Sequence, residues 1–381
     1  MCTPKRMDHI HNHHPKSSLW EFSRSQLAAR MESWGQPAYR ADQVWQWVWQ
    51  KGCRDFSEMT NVSKELRHNL DQSFNLELPR LATLVQSRDA TLKGLLQLDD
   101  GNQVEWVLIP DKDHFTLCLS TQVGCALGCS FCSTGQMGLE RNLTPGEILA
   151  QVLTAREVLA RSQSPWPLRN IVFMGMGEPL LNWAQVEKSL HILRDPLAFG
   201  FSHRRVTVST VGVPGFLESF ARSRLASLAV SLHAPTQELR QEIMPKAADM
   251  FPLPKLIDRL RSLPLKPRQR ITIEYILLGG INDGLDQAKE LNRLLSRLKC
   301  KINLISFNPA PGLSYAQPDA QRVLEFERFL WAKGQTVILR KSKGQDIQAA
   351  CGQLRSSIPN PDAKTLAQQP ETRSDHAQTR F

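Results

Sequence analysis

Between Trp20 and Leu78 the apolar residues recur at helical spacing. In RADQVWQWVWQKG, Val44, Trp45, Val48 and Trp49 share one face, and Gly52 stops the run. Trp47 falls off that face; a ring in so small a helical domain is expected in the core, with base stacking as its other use. NVSKELRHNL predicts a further helix with Ser63 near its start. From about Leu81 to Pro110 the pattern turns to strands, LATLVQS, LKGLLQLDDG and QVEWVLIP, with DDGN as a hairpin turn. Glu105 sits inside the last of these, between Val104 and Trp106, where a lone carboxylate is expected to face solvent.

Beyond Phe115 short apolar strands alternate with amphipathic helices. The strands are FTLCLS, RNIVFMG, RVTVSTVG, LASLAVSLHA, RITIEYILLGG and INLISFNP; a last helix leads to QTVILRK. The alternation predicts a parallel sheet covered by helices. Six βα units are too few for a closed eight-fold barrel and suit an open, partial (βα)6 barrel. Ligands of such sheets bind at the C-terminal ends of the strands, and the unusual polar motifs of this region fall there.

The chain has 381 residues, enough for two or three domains. No apolar run is long enough for a transmembrane helix, and MCTPKRMDHIHNHHPKSS lacks the apolar core of an export signal. Eight cysteines in such a chain read as reduced thiols, metal ligands or catalysts, and the expected compartment is the cytoplasm. The net charge is +10. Residues 1–100 hold 13 basic and 12 acidic side chains, which leaves 34 and 25 for the remainder. That surplus suits a polyanion, nucleic acid first, against a merely soluble basic surface; no Lys/Arg-rich block decides between them. HIHNHH reads as part of a disordered tail in preference to a metal tract, and the polar run from about Pro359 reads as a second tail.

Cys125, Cys129 and Cys132 stand as C-x3-C-x2-C on a glycine-flanked loop after the first parallel strand. Thiolates suit zinc or iron–sulfur clusters. Structural zinc takes four ligands, often from two separated knuckles. Here there is no second knuckle, and Cys118 lies on the strand before the loop. Ordinary [4Fe–4S] carriers use four cysteines; three leave one iron open to the amino and carboxylate groups of S-adenosylmethionine (SAM). The spacing, with Phe131 before the last cysteine, resembles the radical SAM superfamily. The alternative is a zinc-bearing nucleic-acid-binding module with Cys118 as fourth ligand. In GMGEP, Gly177 permits close backbone approach and Glu178 can accept from an ammonium group, as in the superfamily's motif for the methionyl amine. Ser209 in VSTVG, Ser231, Leu232 and His233 in VSLHA, and Asn308 in SFNP sit at later strand ends. Singly these read as loop or capping residues; together they offer the polar groups of a nucleoside site. Cys351 lies in polar, basic, glycine-bearing KSKGQDIQAACGQL, a segment of the kind that carries chemistry. Cys2, Cys53 and Cys300 have no such context and read as packing residues.

Taken together, CLSTQVGCALGCSFCSTGQMGLERNL, MGMGEPLLN, VTVSTVG, SLHAP, ISFNP and RKSKGQDIQAACGQL make this chain similar to the RlmN/Cfr family of RNA methyltransferases, from about Trp20 to Leu354. The resemblance implies methylation of an adenine carbon, an electron-poor sp2 centre with no lone pair to attack a sulfonium methyl. It implies two SAM molecules per turnover. One methylates Cys351; the other, on a [4Fe–4S] cluster held by Cys125, Cys129 and Cys132, yields a radical that takes hydrogen from the methylated thiol. The carbon radical adds to the base, Glu105 accepts the proton, and Cys118 attacks Cys351 to release the product and leave a disulfide. The implied substrates are adenine C2 of 23S rRNA and the adenosine 3′ of the anticodon in tRNA. A flavodoxin-type electron donor and a monomer are also expected. The helical N-terminal sequence and LRKSKGQD favour C2 over the C8 chemistry of the Cfr type. Candidate phosphate contacts are Arg204, Arg205, Lys266, Arg268, Arg270, Arg340, Lys341 and Lys343, each of which singly reads as a solvated charge. The expected organisation is a tail over 1–18, a helical accessory domain and RNA-binding candidate over 19–80, and a β-hairpin linker over 81–114. A radical-SAM partial barrel with the Cys351 segment follows over 115–354, then a tail over 355–381.

Overall fold

The structure is a computed structural model and describes residues 16–266, 268–355 and 364–365. It divides into two compact units, and the first runs to Leu78 and takes in Leu197–Phe199. Its helices are α1 (Arg24–Ser33), α2 (Tyr39–Trp49) and α3 (Lys64–Ser73), and β1 (Ser17–Ser18) pairs in parallel with β2 (Phe74–Asn75). Ser23 and Gln26 form a capping box on α1, and Ser63 caps α3 by accepting from the Leu66 N–H. Val44, Trp45, Val48 and Trp49 are buried, and Trp20 packs edge-on against Trp49 at 5.0 Å. Trp47 differs from expectation. It is only half-buried, donates its indole N–H to Asn61 Oδ1, and carries the Lys51 ammonium 3.3 Å from its ring centre.

The second unit is built on one eleven-stranded sheet. Strands β3 (Arg80–Gln86), β4 (Leu92–Gln97) and β5 (Gln103–Pro110) form an antiparallel meander that continues into β6 (Phe115–Leu119). A separate ribbon, β7 (Gln122–Gly124) with β8 (Leu139–Asn142), brackets the cysteine loop and the single-turn α4 (Ser133–Gln136). From β6 the sheet is parallel and sequential through β9 (Leu168–Phe173), β10 (Val206–Thr210), β11 (Ser227–Ser231), β12 (Ile271–Leu277), β13 (Cys300–Ser306) and β14 (Val337–Arg340). The six crossovers carry α5 (Pro145–Arg161), α6 (Trp183–Arg194), α7 (Phe216–Ser223), α8 (Gln237–Ile243) with α9 (Pro245–Met250) and α10 (Leu253–Ser262), α11 (Leu285–Leu295), and α12 (Ala320–Ala332). This is the open α/β barrel that the alternating pattern predicts. At the far edge β15 (Lys364–Thr365), from the expected C-terminal tail, pairs with β3; an edge strand offers unpaired backbone groups to any extended segment. The rest of that tail beyond Arg355, and the histidine tract, lie outside the described residues.

Register decides which side chains share the concave face. Tyr275 stacks on Phe326 of α12 at 5.5 Å, so it faces the helices. Its neighbour Glu274 therefore faces the other way. Pairing carries that face through Asn303 to Arg340 in one direction, and through Ser231, Ser209, Cys118 and Glu105 in the other. Among the described residues no helix is long and apolar enough to cross a membrane.

Candidate active site

The cysteine loop leaves β7 at Gly124 and is held by backbone bonds. Cys125 N donates to Gly138 O at 2.7 Å, and Cys132 N to Cys129 O at 3.1 Å. Gly124 has a φ of 75°, and a Cβ there would overlap the Gly138 carbonyl, so the turn needs glycine. Cys129 and Phe131 are packed with Leu127, Val211, Met244 and Phe307. Burial pushes Cys125 up to about 12 and Cys129 well up, and the Cys132 thiol adds to both. Burial also raises Cys132. Three thiols on one loop suit a cationic iron–sulfur cluster, whose charge would favour their thiolate forms. Among the described residues no group of three or more His, Cys, Asp or Glu is arranged to hold a metal ion; the corners of a four-iron cube stand farther apart than the donors of a single ion. Cys118 does not join the three. Its electrostatic neighbours are Cys351 and Arg340, so the four-thiol zinc set is not assembled.

Glu178 is buried. Its Oε1 accepts from Leu180 N and its Oε2 from Val211 N, each at 3.0 Å, while its own N–H donates to Gln122 Oε1 at 2.7 Å. Burial raises its pKa, against the hydrogen bonds from Thr210, Val211 and Leu180. Gly177 has a φ of 97°, and a Cβ on it would lie 2.5 Å from Gln122 Cβ. The Ser209 and Ser231 hydroxyls are 3.2 Å apart, and the N–H of buried Leu232 donates to Glu274 O. His233 is buried with a φ of 58°, edge-on to Phe131 at 5.1 Å. Its Nδ1 accepts from Ile276 N at 3.0 Å, which leaves the ring proton on Nε2. Burial, then Arg240, takes its pKa down to about 3. Asn308 turns toward the C-terminal segment: its Nδ2 donates to Ser342 Oγ at 2.9 Å, and its Oδ1 accepts from Gln345 Nε2 at 2.7 Å.

Cys351 has an exposed surface on a segment held from several sides. Ser87 and Arg88 donate to Asp346, Gly344 N donates to Asp89 at 2.9 Å, and Ser133 N donates to Gly352 O at 2.7 Å. Gly352 lies against Phe131 and Cys132, which seats the segment on the cysteine loop. Enough protein surrounds the Cys351 sulfur to push its thiol up; Arg340 opposes this, and Glu274 and Cys132 add to it. The disulfide implied by resemblance is not formed, since Cys118 and Cys351 are both free. Both thiols are held above their ordinary range, and exchange needs a thiolate.

Glu105 corrects the expectation of a solvent-facing carboxylate: it is 1% exposed. Strand β5 lies inside the sheet with both faces covered, so it has no solvent side. Lys93 Nζ lies 3.0 Å from Glu105 Oε1, and Arg355 N donates to Oε2 at 2.9 Å. Burial raises the Glu105 pKa, and Lys93 is the main opposing influence. Sequence reasoning missed Lys93. The available signal was a cation inside the apolar run LKGLLQL, which calls for a carboxylate if both faces are buried. It also missed Glu274, buried and accepting from Asn303 Nδ2 at 2.9 Å. Cys53 and Cys300 are buried, as packing residues should be, and Cys2 lies outside the described residues. The candidate phosphate contacts do not form one group. Arg204, Arg205, Lys266, Arg268 and Arg270 precede β10 and β12, whereas Arg340, Lys341 and Lys343 end or follow β14 at the opposite end of the strands.

An open parallel barrel with three loop cysteines after its first parallel strand and Gly-Glu-Pro at the end of the next defines a radical SAM protein. Residues 119–292 match the radical SAM superfamily, and residues 17–76 match the ribosomal RNA large subunit methyltransferase N-terminal domain. The chain is 55% identical over 340 residues to the dual-specificity RNA methyltransferase RlmN of Solidesulfovibrio magneticus, covering 89% of this chain and 97% of that one. It is 48% identical to the protein of the same name in Geobacter sulfurreducens, over 85% and 88% of the two chains. A crystal structure of a radical SAM methyltransferase from Sphaerobacter thermophilus superposes with a TM-score of 0.84 at 40% identity, over 90% of this chain and 100% of that one. The chain belongs to the RlmN family of radical SAM methyltransferases. Membership of the superfamily implies a [4Fe–4S] cluster and SAM.

Proposed function

We propose that this protein methylates carbon 2 of an adenosine in 23S rRNA and of the adenosine 3′ of the anticodon in tRNA, using Cys351 as methyl carrier. The observation that carries the reading is the seating of the Cys351 segment on the cysteine loop, through Ser133 N and Gly352 O, with Cys118 nearby on the concave face. Cys125, Cys129 and Cys132 would hold the cluster. Glu178, Ser209, Ser231 and His233, the backbone at Gly177 and Leu232, and Asn308 at the rim would hold SAM. Bound there, the two groups supply one-electron cleavage chemistry, and two SAM are consumed per product, one of them in methylating Cys351.

The chain's own residues do the rest. Arg340 favours ionisation of the Cys351 thiol, which needs thiolate character to accept a methyl. Glu105 takes the proton from the attacked carbon. Its burial makes it a stronger base than an ordinary carboxylate, and Lys93 opposes that rise by favouring the carboxylate form. Cys118 is the second thiol, which frees the RNA from Cys351. His233 stays neutral and presents Nε2–H as a donor. A flavodoxin-type protein serves as electron donor, and the substrates are met in the cytoplasm by a monomer.

The test is mass mapping of RNA after reaction of anaerobically reconstituted protein with methyl-labelled SAM. We expect 2-methyladenosine, no methylated cysteine and no adduct from Cys351→Ala, and trapped protein–RNA cross-link from Cys118→Ala. An 8-methyl product overturns the regiochemistry, and equal turnover by both variants removes the two-thiol route.

A further inference from the structure

At the N-terminal ends of β12, β13 and β14 the loops entering these strands enclose a recess of about 570 Å3. Arg268, Arg270, Lys299 and Lys333 line it, and no Asp or Glu does. All four cations are exposed. Arg270 donates to Thr336 Oγ1 at 2.9 Å, and the Lys333 ammonium lies 5.7 Å from the Phe329 ring centre. Among the described residues none of the four has a carboxylate partner, unlike Arg259, Arg261 and Arg322 elsewhere on the same unit. Four unpaired cations around one concavity repel one another, and their arrangement is stabilised by an anion. Arg204, Arg205 and Lys266 precede strands at this same end of the sheet, so the recess has further cations at its end of the barrel.

The recess is not part of the candidate active site. Strands β12 and β13 are seven residues long, which puts it roughly 20 Å along the sheet from the end that carries the cysteines. That separation also decides between two anionic partners. A protein reductant has to approach the cysteine loop, because electron transfer weakens steeply with distance. A folded RNA can reach both ends of the sheet, since its charge is repeated along the whole backbone. Guanidinium and ammonium groups are the side chains that hold phosphodiester oxygens. We propose that this recess binds phosphodiester groups of the RNA substrate remote from the reacting adenosine, a second grip at the opposite end of the barrel. The proposal rests on the RNA substrate assigned above.

The test is equilibrium binding without turnover, of full-length tRNA and of the anticodon stem-loop cut from it, titrated against KCl. The variants are Arg268→Gln/Lys299→Gln/Lys333→Gln and the charge-keeping Arg268→Lys/Lys299→Arg/Lys333→Arg. Each lost phosphate contact lowers the slope of log K against log salt by about 0.7–0.9. The neutralised variant should therefore lose about 2–3 from its slope on full-length tRNA, in the limit of one contact per cation. It should keep the wild-type slope on the stem-loop, and the charge-keeping variant should match wild type on both. An unchanged slope on full-length tRNA overturns the proposal. So does an unchanged slope accompanied by slower reduction by a flavodoxin, which would make the recess a protein dock. Failure of the methylation reading is seen separately, as absence of methylated adenosine.

Discussion

Replacing Lys93 by Met removes the ammonium that faces Glu105 while keeping the length of the side chain. The two groups are 3.0 Å apart, and their side chains are 6% and 1% exposed, so water cannot take the place of the lost cation. The carboxylate retains one hydrogen bond, from Arg355 N. Breaking a buried pair in this way costs about 3–5 kcal/mol, of order 5–15 °C in Tm for a large domain. The sign of the pH dependence follows from linkage. Glu105 has its folded pKa raised by burial, so the folded state holds the proton more tightly than the unfolded chain. Stability then declines as pH rises from the ordinary glutamate range through the folded pKa. Without Lys93 the folded value climbs further and the window extends upward. The deficit against wild type should be smallest in the ordinary glutamate range and should grow as pH rises through the folded pKa, by up to about 1.4 kcal/mol per pH unit inside the window. Adding Glu105→Gln removes the stranded charge and should restore most of the loss. Thermal melts of the anaerobic single and double variants across that window measure both effects. A deficit independent of pH, or a double variant no more stable than Lys93→Met alone, refutes the reasoning.

Gly177→Ala forces a Cβ into Gln122 at a φ of 97°, a strain of about 1–3 kcal/mol, and displaces the acceptor of the Glu178 N–H. Calorimetry should show SAM binding weakened while iron content is retained. Asn308→Ala deletes the bonds to Ser342 and Gln345, each worth about 0.5–1.5 kcal/mol, and should speed tryptic cleavage after Lys341 and Lys343 without loss of iron. His233 has a folded pKa of about 3 against 6.5 in the open chain, so its contribution to stability is full above 6.5 and lost as pH falls toward 3. His233→Gln should flatten that part of the acid limb, and a wild-type acid limb in the variant counts against the buried neutral ring.

What the sequence determined by itself is whatever resides in local spacing. The face shared by Val44, Trp45, Val48 and Trp49, the alternation of strands and helices after Phe115, and the C-x3-C-x2-C loop each lie within a few turns or pleats of chain. Periodicity and ligand spacing report them directly. The tertiary structure alone decided the surroundings of Glu105: an alternating strand pattern does not say which elements cover its two faces, and β5 turned out to lie between β4 and β6 with Lys93 one pleat away. It also decided that Asn308 ties down the Cys351 segment, and that Arg268 and Arg340, alike in sequence, stand at opposite ends of the strands. Cys118 and Cys351 come together only because a sheet built by successive crossovers brings its first parallel strand and the segment beyond its last to one rim. Register and crossover direction, which set such meetings, are properties of the packed chain and leave no mark in the distance between two residues along it.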